Sequence, residues 1–329
     1  MKNLNINILK ELCLTPGISG VEKESGIIDV IYSLVKSINA NTIIDDRGNI
    51  ISKIENGKKK ILIDTHMDEV GFIIKAKISD RKFLLGLIGK INISLVDGIR
   101  LYNLKLLEIG ITLVEENELF ILLNEDVEVL IGDYLSFKRS FDYDGKTVTA
   151  LALDNRIGCF AAINLISYFV VNPLRGSSIT FVFSQGEETE NTNLLEIAQK
   201  ENTDFGIVID AAYAQPWDSK NASAVIPILG EGAAIQHQGE NFIVDINLIE
   251  RIEMLAINKK IAYQSEIPDI SEGKTNFEFL QKGLIPGCVI NIPTRNQHQA
   301  SSIANVFDIQ NAIKLLKEIL FAYDSDSLS

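Results

Sequence analysis

The length, composition and charge of the chain restrict the classes of protein to which it can belong. Its 329 residues, 46% hydrophobic and 23% charged, fit a soluble globular protein with one large α/β domain or two smaller ones. The formal net charge of −13 argues against nucleic acid or an anionic membrane as a partner, because both require a basic surface. Acidic clusters can instead bind divalent cations.

The cysteines and the apolar segments predict a reducing, cytoplasmic location. Cys13, Cys159 and Cys288 are scattered through apolar stretches without metal-ligand spacing, so we expect buried free thiols. The first residues lack the apolar core of a signal peptide. The longest apolar stretch, FAAINLISYFVV, is 12 residues long and includes Asn164, which makes it too short to span a bilayer.

The first half of the chain predicts a helix, a hairpin, a buried strand and a β-rich insertion. Residues 21–38 have apolar residues at helical spacing and predict one amphipathic helix. Residues 42–54 predict a β-hairpin with its turn at 46–49. The run KKKILIDTH predicts a buried strand that ends at His66. From about residue 75 to 147, short β-rich runs are separated by Gly, Asn and Asp, which predicts a small all-β insertion.

Strands alternate with helices from residue 148 to the C-terminal region. Strand-length apolar runs occur in TALALD, SITFVFSQGEE, FGIVID and GCVINIPTR, and helical patterns in NLLEIAQKE, LIERIEMLAINKK, TNFEFLQKG and NVFDIQNAIKLLKEILFAY. This alternation is typical of an α/β sheet covered by helices. We therefore predict a discontinuous α/β domain of residues 1–74 and 148–329, interrupted by a small β-barrel-like domain of residues 75–147.

Residues able to bind metal ions follow five of the apolar runs. They are His66, Asp154, the pair Glu187 and Glu188, Asp210 and His298. In open α/β sheets, ligands bind beyond the carboxyl ends of the strands, so five strands of one sheet would bring these side chains to one edge. Each residue alone has an ordinary explanation, such as a helix N-cap for Asp154 or a turn cap for Asp210. Their joint occurrence favours a metal site, whereas His237 is expected to be structural.

The residue types in this set indicate a dinuclear site. Two histidines and three carboxylates are too many for one catalytic zinc ion, which uses three protein ligands and a water. Five ligands suit two metal ions that share a bridging carboxylate and a hydroxide. Glu187, beside Glu188, is the candidate general base. Asp68, two residues after His66, is placed to hold the imidazole in its ligating tautomer.

Eight segments match a known family in their order and spacing, over nearly the whole chain. They are ELCLTPGISGVEKE, DDRGN, ILIDTHMDEVGFII, IGDYLSF, LALDNRIGC, GEE, VIDAA and IPTRNQH. On these segments the chain resembles the tetrahedral aminopeptidases, metallopeptidase family forty-two, which includes glutamyl and deblocking aminopeptidases. The resemblance implies a mixed-sheet α/β/α co-catalytic metallopeptidase domain (phosphorylase/hydrolase-like) with a small inserted all-β dimerisation domain.

The resemblance also implies a site, a reaction and an assembly. It implies two divalent metal ions per subunit, zinc or cobalt, with Asp154 as the bridge, His66 and Asp210 on one metal, and Glu188 and His298 on the other. Glu187 would be the general base and Asp68 the outer partner of His66. The implied function is the removal of N-terminal amino acids from peptides by a metal-activated water. The implied assembly is a homo-oligomer in which dimers form a tetrahedral dodecamer.

The chain departs from the family pattern beside its ligands, which keeps an alternative function open. Asn155 and Asn276 replace carboxylates that the family usually has, TENTN follows the glutamate pair without the usual glycine, and His298 lies in RNQHQ. Lost outer partners cost about 10–100-fold in metal affinity or activity. The alternative is a catalytically weak or inactive member with a structural or regulatory role. A glycosidase is a further alternative, less favoured because no isolated carboxyl pair stands out. Arg295 fits either a substrate contact or an ion pair.

Overall fold

A large mixed sheet and a small closed barrel make up the described part of the chain. The computed structural model describes residues 4–215, 225–268 and 273–328. Eleven strands form the large sheet, six strands close the barrel, and helices pack against the sheet. This confirms the predicted fold class, an α/β protein with an inserted all-β unit.

The helices of the described residues are α1 (Ile6–Leu14), α2 (Glu22–Ser25), α3 (Ile27–Ile38), α4 (Leu153–Val171), α5 (Leu194–Lys200), α6 (Ile246–Lys259), α7 (Phe277–Lys282) and α8 (Val306–Asp324). The strands are β1 (Thr42–Ile44), β2 (Ile50–Ile54), β3 (Lys59–His66), β4 (Gly71–Lys77), β5 (Lys82–Ile88), β6 (Arg100–Asn103), β7 (Glu108–Glu115), β8 (Glu118–Leu123), β9 (Tyr134–Phe137), β10 (Phe141–Tyr143), β11 (Thr147–Ala150), β12 (Ser177–Ser184), β13 (Phe205–Tyr213), β14 (Ala233–Gln236), β15 (Gln238–Gly239), β16 (Phe242–Ile243), β17 (Tyr263–Glu266), β18 (Gly287–Arg295) and β19 (Ser302–Asn305).

Four parallel strands form the centre of the large sheet. The strand order is β1-β2-β12-β3-β13-β18-β19-β11-β10, and β14 and then β17 pair beyond this path, beginning at β18. Strands β12, β3, β13 and β18 run parallel, and their residues are almost all buried. Near-continuous apolar runs are typical of parallel strands covered on both faces, which explains runs such as SSITFVFS.

The central helix α4 is buried along most of its length. Its segment GCFAAINLI has little polar surface, and Phe160, Ile163 and Ile166 are at most 1% exposed. A helix that is apolar on nearly all sides has to pack within a core rather than on its surface. It packs against β3 and β13 and against α1, α3 and α8. The N-terminal end of α4 is thereby held at the edge of the sheet.

The predicted helix over residues 21–38 is wrong as a single element. It divides into α2 and α3 at Gly26, whose φ of +95° is left-handed. Glycine adopts this conformation without the Cβ penalty of other residues, and the Gly26 N–H donates to the Lys23 carbonyl. The predicted hairpin over 42–54 is confirmed by the antiparallel pair β1 and β2.

The barrel lies between β3 and α4 in the sequence. Its strands close in the order β4-β5-β8-β7-β6-β9, and its core includes an edge-to-face pair of Phe72 and Phe137 with ring centroids 5.1 Å apart. The next hairpin, β10 and β11, belongs to the large sheet. The division of the chain into domains at residues 75 and 148 stays a prediction.

Two further sequence expectations can be compared with the described residues. Cys13, Cys159 and Cys288 are buried free thiols, as predicted, and burial raises the pKa of Cys13 and Cys288 to about 12. In residues 4–215, 225–268 and 273–328, no helix is both long and apolar enough to cross a membrane.

Candidate metal centre

Two groups of metal-ligating side chains meet at one edge of the large sheet and share Asp154. The first group contains His66 and Asp210, and the second contains Glu188 and His298. The His66 Nε2 atom lies 3.2 Å from Asp154 Oδ1 and 3.3 Å from Asp210 Oδ1. The His298 Nε2 atom lies 3.2 Å from Asp154 Oδ2 and 3.3 Å from Glu188 Oε2. The two carboxylate oxygens of Asp154 therefore face different groups.

Neighbouring parallel strands bring the first group together. Strands β3 and β13 pair with Val208 opposite Asp64, so His66 and Asp210, each two residues further on, lie side by side. The apolar run FGIVID predicts a strand end at Asp210, but β13 continues to Tyr213. Asp210 is therefore held inside a strand rather than in a loop.

The start of α4 places Asp154 between the two groups. Ala152 has a left-handed φ of +58°, and Asp154 and Asn155 have non-helical backbone angles within the first turn. The Asn155 Oδ1 atom accepts a hydrogen bond from Gly158 N–H at 3.0 Å, which is the contact of an N-cap. Asn155, and not Asp154, caps the helix, so the Asp154 carboxylate is available to the site.

Loops after two other strands supply the second group. Glu188 follows β12, and His298 follows β18. His298 has a left-handed φ of +57°, which is uncommon for a residue with a side chain and is retained where the surroundings impose it. This backbone conformation directs the imidazole at Asp154 and Glu188.

Asp68 connects His66 to the acidic pair. Its Oδ1 atom lies 3.5 Å from His66 Nδ1, and its carboxylate accepts the backbone N–H groups of Glu187 and Glu188 at 3.2 and 3.1 Å. Burial opposes ionisation of Asp68, but the hydrogen bond and charge of His66 and the Glu188 N–H lower its pKa below the ordinary value. His66 Nδ1 lies closer to the Asp68 backbone carbonyl oxygen, at 3.2 Å, and both contacts leave Nε2 directed at the site.

Glu187 lies beside the first group without belonging to either. Its Oε2 atom is 4.0 Å from His66 Nε2. Burial raises the pKa of Glu187 well above its ordinary value; the charge of His66 opposes this shift, and those of Asp210 and Glu188 reinforce it. A carboxyl group in such surroundings exchanges a proton more readily near neutral pH than an exposed glutamate does.

The donor set fits two divalent cations. Two imidazoles and three carboxylates are borderline and hard donors of the kind that zinc, cobalt and manganese accept. The Glu188 Oε1 atom is buried and, in the described part of the chain, has no hydrogen-bond partner. Among those residues no Lys or Arg forms an ion pair with the three ligand carboxylates. Buried carboxylates require compensating positive charge, which bound cations would supply.

The two amides that depart from the family pattern lie behind the ligands. Asn155 Nδ2 donates to Thr65 Oγ1 at 3.0 Å and to the Ile209 carbonyl at 2.8 Å. Asn276 Nδ2 donates to Asp64 Oδ2 at 2.8 Å and to Ser184 Oγ at 3.0 Å. Asn155 therefore contacts the residues that precede His66 and Asp210 in the chain, whereas Asn276 contacts Asp64, two residues before His66, and Ser184, the register partner of His66.

Two other residues singled out in the sequence, Arg295 and His237, have contacts outside the two groups. Arg295 donates from Nε and Nη2 to the Gln215 carbonyl at 3.2 and 2.8 Å, which makes it a backbone tether. His237 lies outside both groups, with Nε2 3.8 Å from Glu253. A structural role for His237 stays a prediction.

Sequence reasoning missed a buried ionic cluster beside the site. Glu69 accepts hydrogen bonds from Arg139, which follows β9, and from Arg156 of α4. The Arg156 Nη2 to Glu69 Oε2 distance is 3.2 Å, and all three side chains are at most 4% exposed. The local sequence gives no signal for this cluster, because the partners are 70 and 87 positions apart.

Sequence reasoning also missed a cleft that adjoins the metal centre. Its lining includes the five candidate ligands, Glu187 and three polar residues of neighbouring strands, Gln236, Glu266 and Asn291. Two lysines, Lys90 and Lys274, also line this cleft.

Comparisons with known proteins give one family and closely similar folds. The family model for M42 glutamyl aminopeptidases matches residues 122–315. A relative from Acetivibrio thermocellus, described as a candidate aminopeptidase, is 28% identical over 339 residues, which cover 95% of this chain and 98% of the relative. A TET aminopeptidase structure from the marine sediment archaeon Thaumarchaeota archaeon SCGC AB-539-E09 has a TM-score of 0.88, 21% identity and 98% coverage of both chains. The TET1 peptidase structure of Pyrococcus horikoshii has a TM-score of 0.81 at 23% identity, covering 96% of this chain and 99% of its own.

Proposed function

The chain belongs to the M42 glutamyl aminopeptidase family and is an aminopeptidase, and we propose that it removes N-terminal residues from peptides at a dinuclear metal centre. His66 and Asp210 would hold one divalent ion, Glu188 and His298 the other, and Asp154 would bridge them. The observation that carries this proposal is the placement of the two Asp154 oxygens, each 3.2 Å from a different histidine. Zinc or cobalt is the proposed metal, because both accept imidazole and carboxylate ligands.

The residues around the ligands supply the proton transfer and the orientation. When bound, the two metal ions would lower the pKa of a water molecule and polarise the peptide carbonyl. Glu187 would accept the proton of that water at its carboxylate and later donate it to the departing amine. Asp68 would keep His66 in the tautomer that directs Nε2 at the site. The low exposure of these groups strengthens their electrostatic interactions with the substrate.

We further propose that the protein acts on peptide substrates as a homo-oligomer. Support comes from the P. horikoshii TET1 peptidase, which can assemble into a tetrahedron or a large octahedral shell. Exposed apolar side chains on the barrel also favour self-association, among them Leu107, Leu130 and Ile131, which are 60 to 75% exposed. The finer proposal is a dodecamer built from dimers and located in the cytoplasm.

Hydrolysis of aminoacyl-4-nitroanilides, with added Zn²⁺ or Co²⁺ and again with chelator, tests the activity. Metal-dependent release supports the proposal. Absence of release from every substrate, with two metal ions bound per chain, would instead favour the weak or inactive alternative. That alternative rests on the altered neighbours of Glu188 and His298 and on the amides at Asn155 and Asn276.

Replacement of Glu187 by glutamine tests the mechanism separately. The variant should keep both metal ions but lose about 10²–10⁴-fold in kcat, because an amide cannot accept the proton. Glu190→Gln is the matched control, since Glu190 lines the same cleft but pairs with Lys274. If Glu187→Gln is as active as this control, then Glu187 is not the base.

A further inference from the structure

Three polar side chains on adjacent strands form one wall of the cleft beside the metal centre. Gln236 of β14 and Glu266 of β17 are register partners. Asn291 of β18 is the register partner of Asp210 in β13. We call these three side chains the polar wall. Its nearest member in the sheet, Asn291, therefore lies on the strand next to that of the proposed metal ligand Asp210.

Every side-chain N–H group of the polar wall is already used. Asn291 Nδ2 donates to Gln236 Oε1 at 2.9 Å and to Glu266 Oε2 at 2.8 Å. Gln236 Nε2 donates to the carbonyls of Gln238 and Gly273, both at 3.0 Å. An amide nitrogen has two hydrogens, so neither amide has a donor left for a ligand.

The atoms that remain free in the polar wall are acceptors. Asn291 Oδ1 is buried and has no hydrogen-bond partner within the described ranges. In the same part of the chain, the Glu266 carboxylate accepts only the one hydrogen bond from Asn291. A ligand that reaches this wall therefore has to bring donors and gains nothing from acceptors of its own.

The charge of Glu266 also favours a ligand that brings hydrogen-bond donors. Glu266 is 5% exposed. Its burial raises its pKa to about 7; the hydrogen bond from Asn291 opposes this shift, and the charge of Asp210 adds to it. Among the described residues no Lys or Arg lies within ion-pair distance of Glu266. A buried carboxylate is stabilised in its ionised form by a cation that approaches it.

The two lysines of the cleft do not form an equivalent site for an anion. Lys274 is paired with Glu190 and lies 4.0 Å from Glu240. Lys90 is exposed, where water and salt screen its charge. Among the residues that the structure describes, the unneutralised charge in the buried part of the cleft is therefore negative.

Resting on the proposed aminopeptidase function, we propose that Glu266 selects peptides whose N-terminal residue has a cationic side chain, lysine or arginine. Their ammonium and guanidinium groups are donors without acceptors, which matches the polar wall. Apolar residues of the same cleft, among them Ile226, Pro227 and Pro268, offer contacts for the methylene groups. Adjacent strands are about 4.8 Å apart, so a long side chain that starts at the metal centre can reach the wall beside Asp210.

Two substrates that differ only in the ammonium group of the side chain test the proposal. Norleucyl-4-nitroanilide has the aliphatic side chain of lysyl-4-nitroanilide without the ammonium group. Wild-type protein should prefer the lysyl substrate by at least about tenfold in kcat/KM, the size expected of one charge-assisted hydrogen bond. Glu266→Gln keeps the size of the side chain and should lower lysyl hydrolysis to the level of norleucyl hydrolysis, which removes this preference.

A control variant and a binding measurement separate this proposal from the function on which it rests. Glu190→Gln removes a charge from the same cleft and should retain the lysyl preference within about twofold. Calorimetric titration of the metal-loaded protein with free lysine and free norleucine, the reaction products, should show tighter binding of lysine that Glu266→Gln abolishes. Lysine selectivity in binding without any hydrolysis would sustain the role of Glu266 and refute the aminopeptidase mechanism.

Three results would overturn the assignment of Glu266 while leaving the aminopeptidase function intact. The first is a lysyl preference that persists in Glu266→Gln. The second is an equal loss of lysyl and norleucyl hydrolysis in a variant with wild-type thermal stability, which would place Glu266 at the α-amino group common to all substrates. The third is a wild-type preference for glutamyl-4-nitroanilide, which would make the lysines of the cleft the selective groups.

Discussion

Replacement of Glu69 by glutamine should destabilise the fold much more than the loss of an exposed ion pair. Glu69 is 2% exposed and lies between Arg139 and Arg156, and Arg156 is fully buried. Glutamine keeps an oxygen that can accept the Gly17 N–H, which now donates to Glu69 Oε1 at 3.1 Å. The substitution thus removes mainly the negative charge and leaves two buried guanidinium groups without it.

The size of the effect follows from the distances in the cluster. One pair of unit charges separated by the 3.2 Å between Arg156 Nη2 and Glu69 Oε2 is worth about 5 kcal/mol at an effective dielectric constant near 20. Removal of one partner from a buried ion pair typically costs about 3–5 kcal/mol. We therefore expect Glu69→Gln to lower the free energy of unfolding by about 3–5 kcal/mol.

Urea denaturation of the metal-free protein at one fixed subunit concentration measures this change without contributions from metal binding or mass action. The control is Asp80→Asn, which removes one carboxylate from the exposed pair of Lys77 and Asp80, 3.0 Å apart. An exposed pair contributes at most about 1 kcal/mol, so this variant should stay within about 0.5 kcal/mol of wild type. If Glu69→Gln shifts the unfolding free energy no more than Asp80→Asn does, the reasoning about the buried cluster is refuted.

Four further results are expected. In the wild-type protein, the ratio of lysyl to norleucyl kcat/KM should rise as the pH increases through about 7, because Glu266 ionises there. The ratio should not change with pH in Glu266→Gln. A wild-type ratio that is independent of pH would contradict this prediction. Asn155→Asp should lower the free energy of unfolding by about 1–3 kcal/mol, because the Ile209 carbonyl loses its hydrogen-bond donor. A urea midpoint equal to that of the wild type would contradict this prediction. Gly287→Ala should lower the free energy of unfolding by about 3 kcal/mol or more, because a Cβ atom there would lie 1.8 Å from the Gly206 carbonyl oxygen. An unchanged melting temperature would show that β13 and β18 can move apart to accommodate the Cβ atom without cost. Chelation should lower the melting temperature by the equivalent of about 2.7 kcal/mol per site, or about 5.4 kcal/mol for two independent sites, when free metal had been at 100 times the Kd of each. An equal melting temperature with and without chelator would argue against specific binding.

The meeting of the two candidate groups could be predicted from sequence because their residues follow elements that the sequence marks clearly. The apolar runs before His66 and around Asp210 are typical of buried parallel strands, and parallel strands end at a common edge. The split of the predicted helix at Gly26 was not predicted, because the apolar spacing continues across it and only the left-handed φ breaks the helix. Periodicity reports which side of an element is buried, and it does not report a single residue with unusual backbone angles.

The polar wall could not be predicted because it depends on strand neighbours that are remote in sequence. Asn291 contacts Gln236 and Glu266 only because β14 pairs with β18 and β17 pairs with β14. In the sequence these residues are separated by 25 to 55 positions, and only Asn291 is an isolated polar residue within an apolar run, since Gln236 and Glu266 have polar neighbours. The order of strands in the sheet, rather than any local pattern, creates the wall.

The charges of the cleft link the metal centre to the proposed selectivity. The three ligand carboxylates and Glu187 carry four negative charges when ionised, and two divalent ions would balance them. Asp68 is compensated separately by two backbone N–H groups and by His66. Glu266 lies outside both metal-ligating groups, so bound metals would leave its carboxylate without a direct counterion. A cationic substrate side chain would supply that counterion, so we expect discrimination between lysine and norleucine in the metal-loaded protein.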